Sequence, residues 1–144
     1  MFYILVYCIA IVSPMIAVAE PIAILAGLSS KVSWMPVALI LAAGQTTCFS
    51  IFYLFGSRLT ARWTWLRDKL SAIDLEAYST QRNSVTALSG LLGLPPTTAL
   101  ALAGPLYDPS FVRFASLVYI GRLTRFVVFA GAPSYFSEYI DLSL

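Results

Sequence analysis

The sequence predicts an all-α integral membrane protein of two inverted halves, and three observations carry that reading. Two apolar runs, Trp34 to Gly56 and Phe111 to Ala132, each reach the roughly 20 residues that a helix needs to cross a bilayer. Each is preceded by a second apolar stretch interrupted by proline. Charged residues make up 11% of the 144 and mean hydropathy is +0.82, against the roughly 25% charge of ordinary soluble domains.

Met1 to Val12 is apolar and aromatic, and Ser13-Pro14 and Glu20-Pro21 then interrupt the helical pattern before an apolar run to Leu28. A proline lacks the backbone donor and biases the residue before it away from helix. Neither side of the break is a clean full span, so a re-entrant hairpin turning near Pro14 and Pro21 is expected. Ala17-Val18-Ala19 has the small-residue form of a signal-peptidase site. No Lys or Arg precedes the apolar core, and Ser13-Pro14 interrupts it, so the segment is expected to be retained.

Ser29 to Ser33 is a short polar loop with Lys31, and Trp34 to Gly56 opens on an interfacial tryptophan with Pro36 in its first turn. This span carries Gln45, Thr46, Thr47 and Ser50. A glutamine is rare in such a helix and is expected to face protein or water. From Arg58 to Arg82 an apolar stripe of Leu59, Trp63, Leu66, Leu70, Ile73 and Ala77 recurs at helical steps, with Arg62, Arg67, Asp68 and Lys69 off it. That pattern predicts an amphipathic linker helix at the membrane surface. Asn83 to Leu106 is the second broken stretch, with Gly93 and Pro95-Pro96 at its turn, and the tail after Ala132 carries only Glu138 and Asp141. The expected organisation is a single membrane domain, residues 1–57 and 83–144 forming the repeats and 58–82 the linker.

The halves share a frame. Ala26-Gly27 precedes Gly44 by seventeen residues counted from the glycine, and Ala103-Gly104 precedes Gly121 by the same interval. An offset of 77 also places Trp34 on Phe111, Thr47 on Thr124, Phe52 on Phe129 and Gln45 on Arg122. The centre holds Arg58, Arg62, Arg67, Lys69 and Arg82 against a lone Lys31 across the membrane, so the positive-inside rule makes the centre cytoplasmic. The hairpins then enter from opposite sides and both termini lie outside. Paired broken segments in inverted halves point to a substrate site at the midplane.

Ser13-Pro14, Ala19-Glu20-Pro21, Ala26-Gly27, Ala43-Gly44-Gln45 and Tyr53-Leu54-Phe55-Gly56-Ser57-Arg58, followed by Leu94-Pro95-Pro96, Ala103-Gly104, Gly121-Arg122 and Arg125, resemble the DedA family. That family is also called the VTT or SNARE-associated Golgi protein superfamily. The resemblance covers nearly the whole chain through loose motifs. It implies paired re-entrant hairpins in the inner (plasma) membrane and the flipping or scrambling of an anionic lipid, polyprenyl phosphate or phospholipid. Glu20 resembles the acidic residue of the family's first hairpin, and Arg122 and Arg125 resemble basic residues of its last helix. The chain departs from the family in having no acidic residue before Glu20 and no arginine in Leu91 to Thr98.

Arg122 lies near the middle of its span and Arg125 one turn on. At roughly 2.5–3.5 kcal/mol for each central arginine, the pair costs about 5–7 kcal/mol before compensation. Glu20 is the acidic residue expected at the same depth. Two readings stand for these three. Glu20 neutralises one arginine and ties the elements together, or the arginines meet an anionic head group, with Gln45 and Thr47 completing the substrate site. Arg122 and Arg125, three apart, share a helix face and can chelate one phosphate.

The chain has no histidine, and Cys8 and Cys48 lack ligand spacing, so no metal, no cofactor and no Ser-His-acid nucleophile is expected. Gly90-Leu-Leu-Gly93 lacks the phosphate-loop pattern, and the net charge of +2 gives no nucleic-acid surface. The chain is expected not to be an enzyme. Its partner is expected to be membrane lipid, and a homodimer would enclose the cavity better than one small chain. A phage holin-like lesion former and a non-transporting assembly protein are the rival classes.

Overall fold

The computed structural model describes residues 1–16, 19–28, 33–62, 64, 68, 81–93, 96–107 and 110–141. Among them are six helices: α1 (Phe2–Ile16), α2 (Ala19–Leu28), α3 (Trp34–Arg62), α4 (Arg82–Leu92), α5 (Thr97–Tyr107) and α6 (Phe111–Asp141). Two stretches are long and apolar enough to cross a membrane, Trp34–Gly56 within α3 and Phe111–Ala132 within α6. The expected spans thus coincide with helices, although both helices run further. α3 continues through Arg58 to Arg62, since Ser57-Arg-Leu-Thr-Ala61 contains no residue that breaks it. α6 continues to Asp141, where only an acidic tail was expected. Most of the expected amphipathic linker, including Trp63 and Trp65, lies outside the described residues.

Among the described residues, the helices bury several polar side chains beside an apolar core and leave large apolar side chains exposed. Ser13, Gln45, Thr46, Thr86, Ser89, Thr97 and Arg122 are buried, whereas Ile4, Leu25, Leu39, Leu54, Phe55, Leu88, Val112, Ile120 and Val128 are exposed. In water this many exposed large apolar side chains would be unusual. Around lipid tails it is the expected arrangement, with polar groups turned inward. A helical membrane protein fits these features.

The chain divides into two compact units, residues Met1–Gln45 with Arg122–Leu144 and residues Thr46–Gly121. In the first unit, α1 and α2 pack against each other. Pro14 sits inside α1, two residues before its end, and Pro21 sits in the first turn of α2. The prolines therefore flank the first break. Pro21 loses nothing there, because the first backbone N–H groups of a helix have no partner within it. α1 also lies hard against α3: a Cβ on Gly44 would stand 2.5 Å from the Cβ of Ala10 and 3.0 Å from the carbonyl oxygen of Tyr7. Close approach at small residues is how membrane helices gain packing energy when the surrounding solvent is as apolar as their side chains.

In the second unit, α4 ends at Gly93, whose φ of 78° is left-handed and whose N–H donates to the Ser89 carbonyl at 2.9 Å. Glycine adopts that conformation without the Cβ clash that penalises other residues. Pro96 follows, and α5 starts at Thr97, so the second break falls within the expected stretch. Pro95 lies outside the described residues. The hydroxyl of Ser89 donates to Thr97 Oγ1 at 2.9 Å, and the Thr97 hydroxyl donates to the Ser89 carbonyl at 2.9 Å, which ties α4 to α5 across the break. Phe49, Tyr53, Ala101, Phe114 and Val118 form this unit's core. The Tyr53 ring centroid lies 4.9 Å from that of Phe114 and 5.6 Å from that of Phe111. Contacts of this kind add about 0.5–1.5 kcal/mol each beyond the area they bury.

Candidate functional site

Two groups of polar residues lie in the first unit, one around Arg125 and one around Ser13. Arg125 of α6 is paired with Glu20 of α2, Nη2 to Oε1 at 3.3 Å, with 23% and 21% of the side chains exposed. The sequence places Glu20 in the first turn of α2, where the helix dipole favours a negative charge. The other side of the Arg125 guanidinium faces the Phe129 ring, 5.4 Å from its centroid. Arg125 is thus held by two partners of different kinds, one ionic and one aromatic.

Arg122 lies one turn earlier on the same helix and is 7% exposed. It is within electrostatic reach of Arg125 and Glu20, so all three charges belong to one cluster. The Nε atoms of both arginines are buried and donate no hydrogen bond. The described members of the cluster are one carboxylate and two guanidiniums. The expected proximity of Glu20, Arg122 and Arg125 is what the geometry places here.

A second polar group forms around Ser13, which is fully buried. Its Oγ accepts the N–H of Ala19 at 3.0 Å, serving the first residue of α2, and an N–H of Gln45 Nε2 at 3.0 Å from α3. Gln45 is 2% exposed, and its Oε1 has no hydrogen-bond partner.

Sequence reasoning missed Ser13, which reads beside Pro14 as part of a helix break. Its signal was a hydroxyl within an apolar run six residues before a helix start. Phe129 was missed as well, although it stands four residues after Arg125 on one helix face. Thr47 is half-buried and belongs to the second unit. No group of His, Cys, Asp and Glu able to hold a metal occurs among the described residues.

Ser13→Ala tests the second group. It removes the acceptor of Ala19 and the partner of Gln45 in a buried setting, where each unsatisfied group costs about 1–3 kcal/mol. The variant should lose several degrees of thermal stability in detergent, and unchanged melting would show the Ser13 bonds to be dispensable.

Compared with known proteins, the chain matches no family description, no curated protein and no solved structure. Its class therefore rests on the helices and this cluster: helices with exposed large apolar side chains, two of them long and apolar enough to cross a membrane, and two arginines on one of them.

Proposed function

We propose that the protein moves an anionic lipid, such as a polyprenyl phosphate or a phospholipid, between the leaflets of an inner (plasma) membrane that it crosses more than once. It does so without enzymatic chemistry, as the DedA family resemblance implies. The observation that carries this reading is the placement of Arg122 and Arg125 on a helix fit to span a bilayer, with Glu20 of α2 paired to Arg125. A guanidinium in such a place is expensive, and an arriving phosphate compensates it with bidentate hydrogen bonds. Arg125 is the more exposed of the two and meets the head group first, exchanging Glu20 for phosphate while Phe129 holds the guanidinium in place. Arg122, one turn away, supplies the second donor set.

Two inverted repeats with re-entrant hairpins are part of the proposal. The helix starts Trp34 and Phe111 differ by the offset of 77, and the helix pairs α1–α2 and α4–α5 fall in register with it to within three residues. Close packing repeats as well. Gly44 lies against Ala10 in one unit, and Gly121 lies against Ala87 and Gly90 in the other, positions related by the same offset. Hairpins of this kind leave their turns buried in protein or lining a wet cavity, the setting in which broken backbone is tolerated at membrane depth.

Proteoliposomes test the class. The protein should speed leaflet exchange of a labelled anionic lipid while an encapsulated dye stays inside. Rapid dye release at low protein density would instead favour a holin-like pore, and no exchange with no release would favour an assembly protein.

A further inference from the structure

The outer face of α3 changes character over its last three turns. Ile51, Leu54, Phe55, Arg58 and Arg62 follow the three-and-four spacing of a single helix face, and all five are exposed. The opposite face is packed within the second unit: Phe49 and Tyr53 belong to its core, and Gly56 lies against the Leu102 backbone of α5. The exposed stripe is apolar as far as Phe55, inside the stretch able to cross a membrane, and cationic beyond Gly56, where that stretch ends. At 1.5 Å of rise for each residue, Arg58 and Arg62 lie about 3 Å and about 9 Å past Gly56. The head-group layer extends roughly 5–7 Å beyond the hydrocarbon on each side. Helical side chains lean toward the N-terminus, so Arg62 can reach back to the level of Arg58. The Arg58 guanidinium lies over the Phe55 ring, 5.9 Å from its centroid, which holds it at the boundary between the two parts of the stripe.

We infer that this stripe binds one anionic phospholipid of the adjoining leaflet, with its phosphate on Arg58 and Arg62 and an acyl chain along Ile51, Leu54 and Phe55. A phospholipid has the same order of parts along its length, an anionic head and then an apolar tail. Residues four apart on a helix stand about 5–6 Å from each other at Cβ, near enough for two guanidiniums to engage one phosphate. A water-soluble phosphate ester offers the head alone and leaves the apolar part of the stripe uncovered. The site uses none of Glu20, Arg122 and Arg125 and does not rest on the lipid-transfer reading. The lipid it holds is a resident of the protein's surface rather than cargo.

Native mass spectrometry of the protein in detergent, with equal amounts of phosphatidylglycerol and phosphatidylcholine of the same acyl chains, tests this. The double variant Arg58→Gln/Arg62→Gln should retain one phosphatidylglycerol fewer than wild type, whatever either protein holds elsewhere. Each single substitution should weaken that lipid about fivefold, the usual worth of one arginine at an anionic membrane surface. Both side chains are exposed, so the variants should unfold at the wild-type temperature. An equal phosphatidylglycerol count in wild type and the double variant overturns the inference. So does phosphatidylcholine filling the same place equally well in wild type. Glycerol phosphate, a head without tails, should leave the lipid bound at equal concentration, and displacement would overturn the role of the acyl chain. A wild-type dimer that the double variant dissolves would give the stripe to a second copy of the chain and overturn the lipid assignment.

Discussion

Glu20→Ala is expected to destabilise the protein far more than Arg125→Ala, although each removes one side of the same ion pair. Removing one partner of a buried pair typically costs about 3–5 kcal/mol because the other is left uncompensated. Here both side chains are about one-fifth exposed, and screening brings the expected loss to about 2–3 kcal/mol. Without Glu20, Arg125 loses its carboxylate while Arg122 one turn away still opposes its charge. Without Arg125, Glu20 keeps the favourable field of Arg122. Thermal unfolding of both variants in detergent reads the difference directly. Equal losses would mean that the three charges do not act as one cluster.

Gly121→Leu is the second large effect. A Cβ at this position would stand 2.9 Å from the Cα and carbonyl carbon of Gly90 and from the carbonyl oxygen of Ala87. All three are backbone atoms, so a side chain can be admitted only by moving α4 away from α6. Overpacking of this kind costs about 1–3 kcal/mol, and a leucine against a helix backbone belongs at the top of that range. Gly131→Ala is the control. Its Cβ would meet the Trp34 ring at 3.6 Å, an ordinary contact, and alanine is the better helix former. Gly121→Leu should fail to give monodisperse protein after extraction while Gly131→Ala behaves as wild type. A well-behaved Gly121→Leu would contradict the close crossing of α4 and α6.

These positions also show what the sequence can and cannot reveal. Trp34 to Gly56 and Phe111 to Ala132 were legible because length and hydropathy alone define a candidate span. The second break was legible because Gly93 and Pro95-Pro96 each oppose helix for a separate reason. The first break was legible only approximately. Pro14 and Pro21 mark it, but a helix accommodates proline in its first turn, and α1 runs two residues past Pro14. Within the cluster, the cost of two arginines in an apolar run pointed to Glu20, but not to which arginine it pairs with. That choice depends on how α2 meets α6, which no local pattern encodes. Ser13 was invisible for the same reason. Its partner Gln45 is 32 residues away, and a hydroxyl beside proline carries no sign of a distant amide.

The most direct test of the central claim is leaflet exchange of a labelled anionic phospholipid in proteoliposomes, wild type beside Arg122→Ala. The variant keeps the Glu20–Arg125 pair, so it should still insert and fold. The account predicts rapid exchange by wild type and loss of exchange in Arg122→Ala. Equal exchange by the two proteins would contradict it and leave the arginines as structural partners of Glu20.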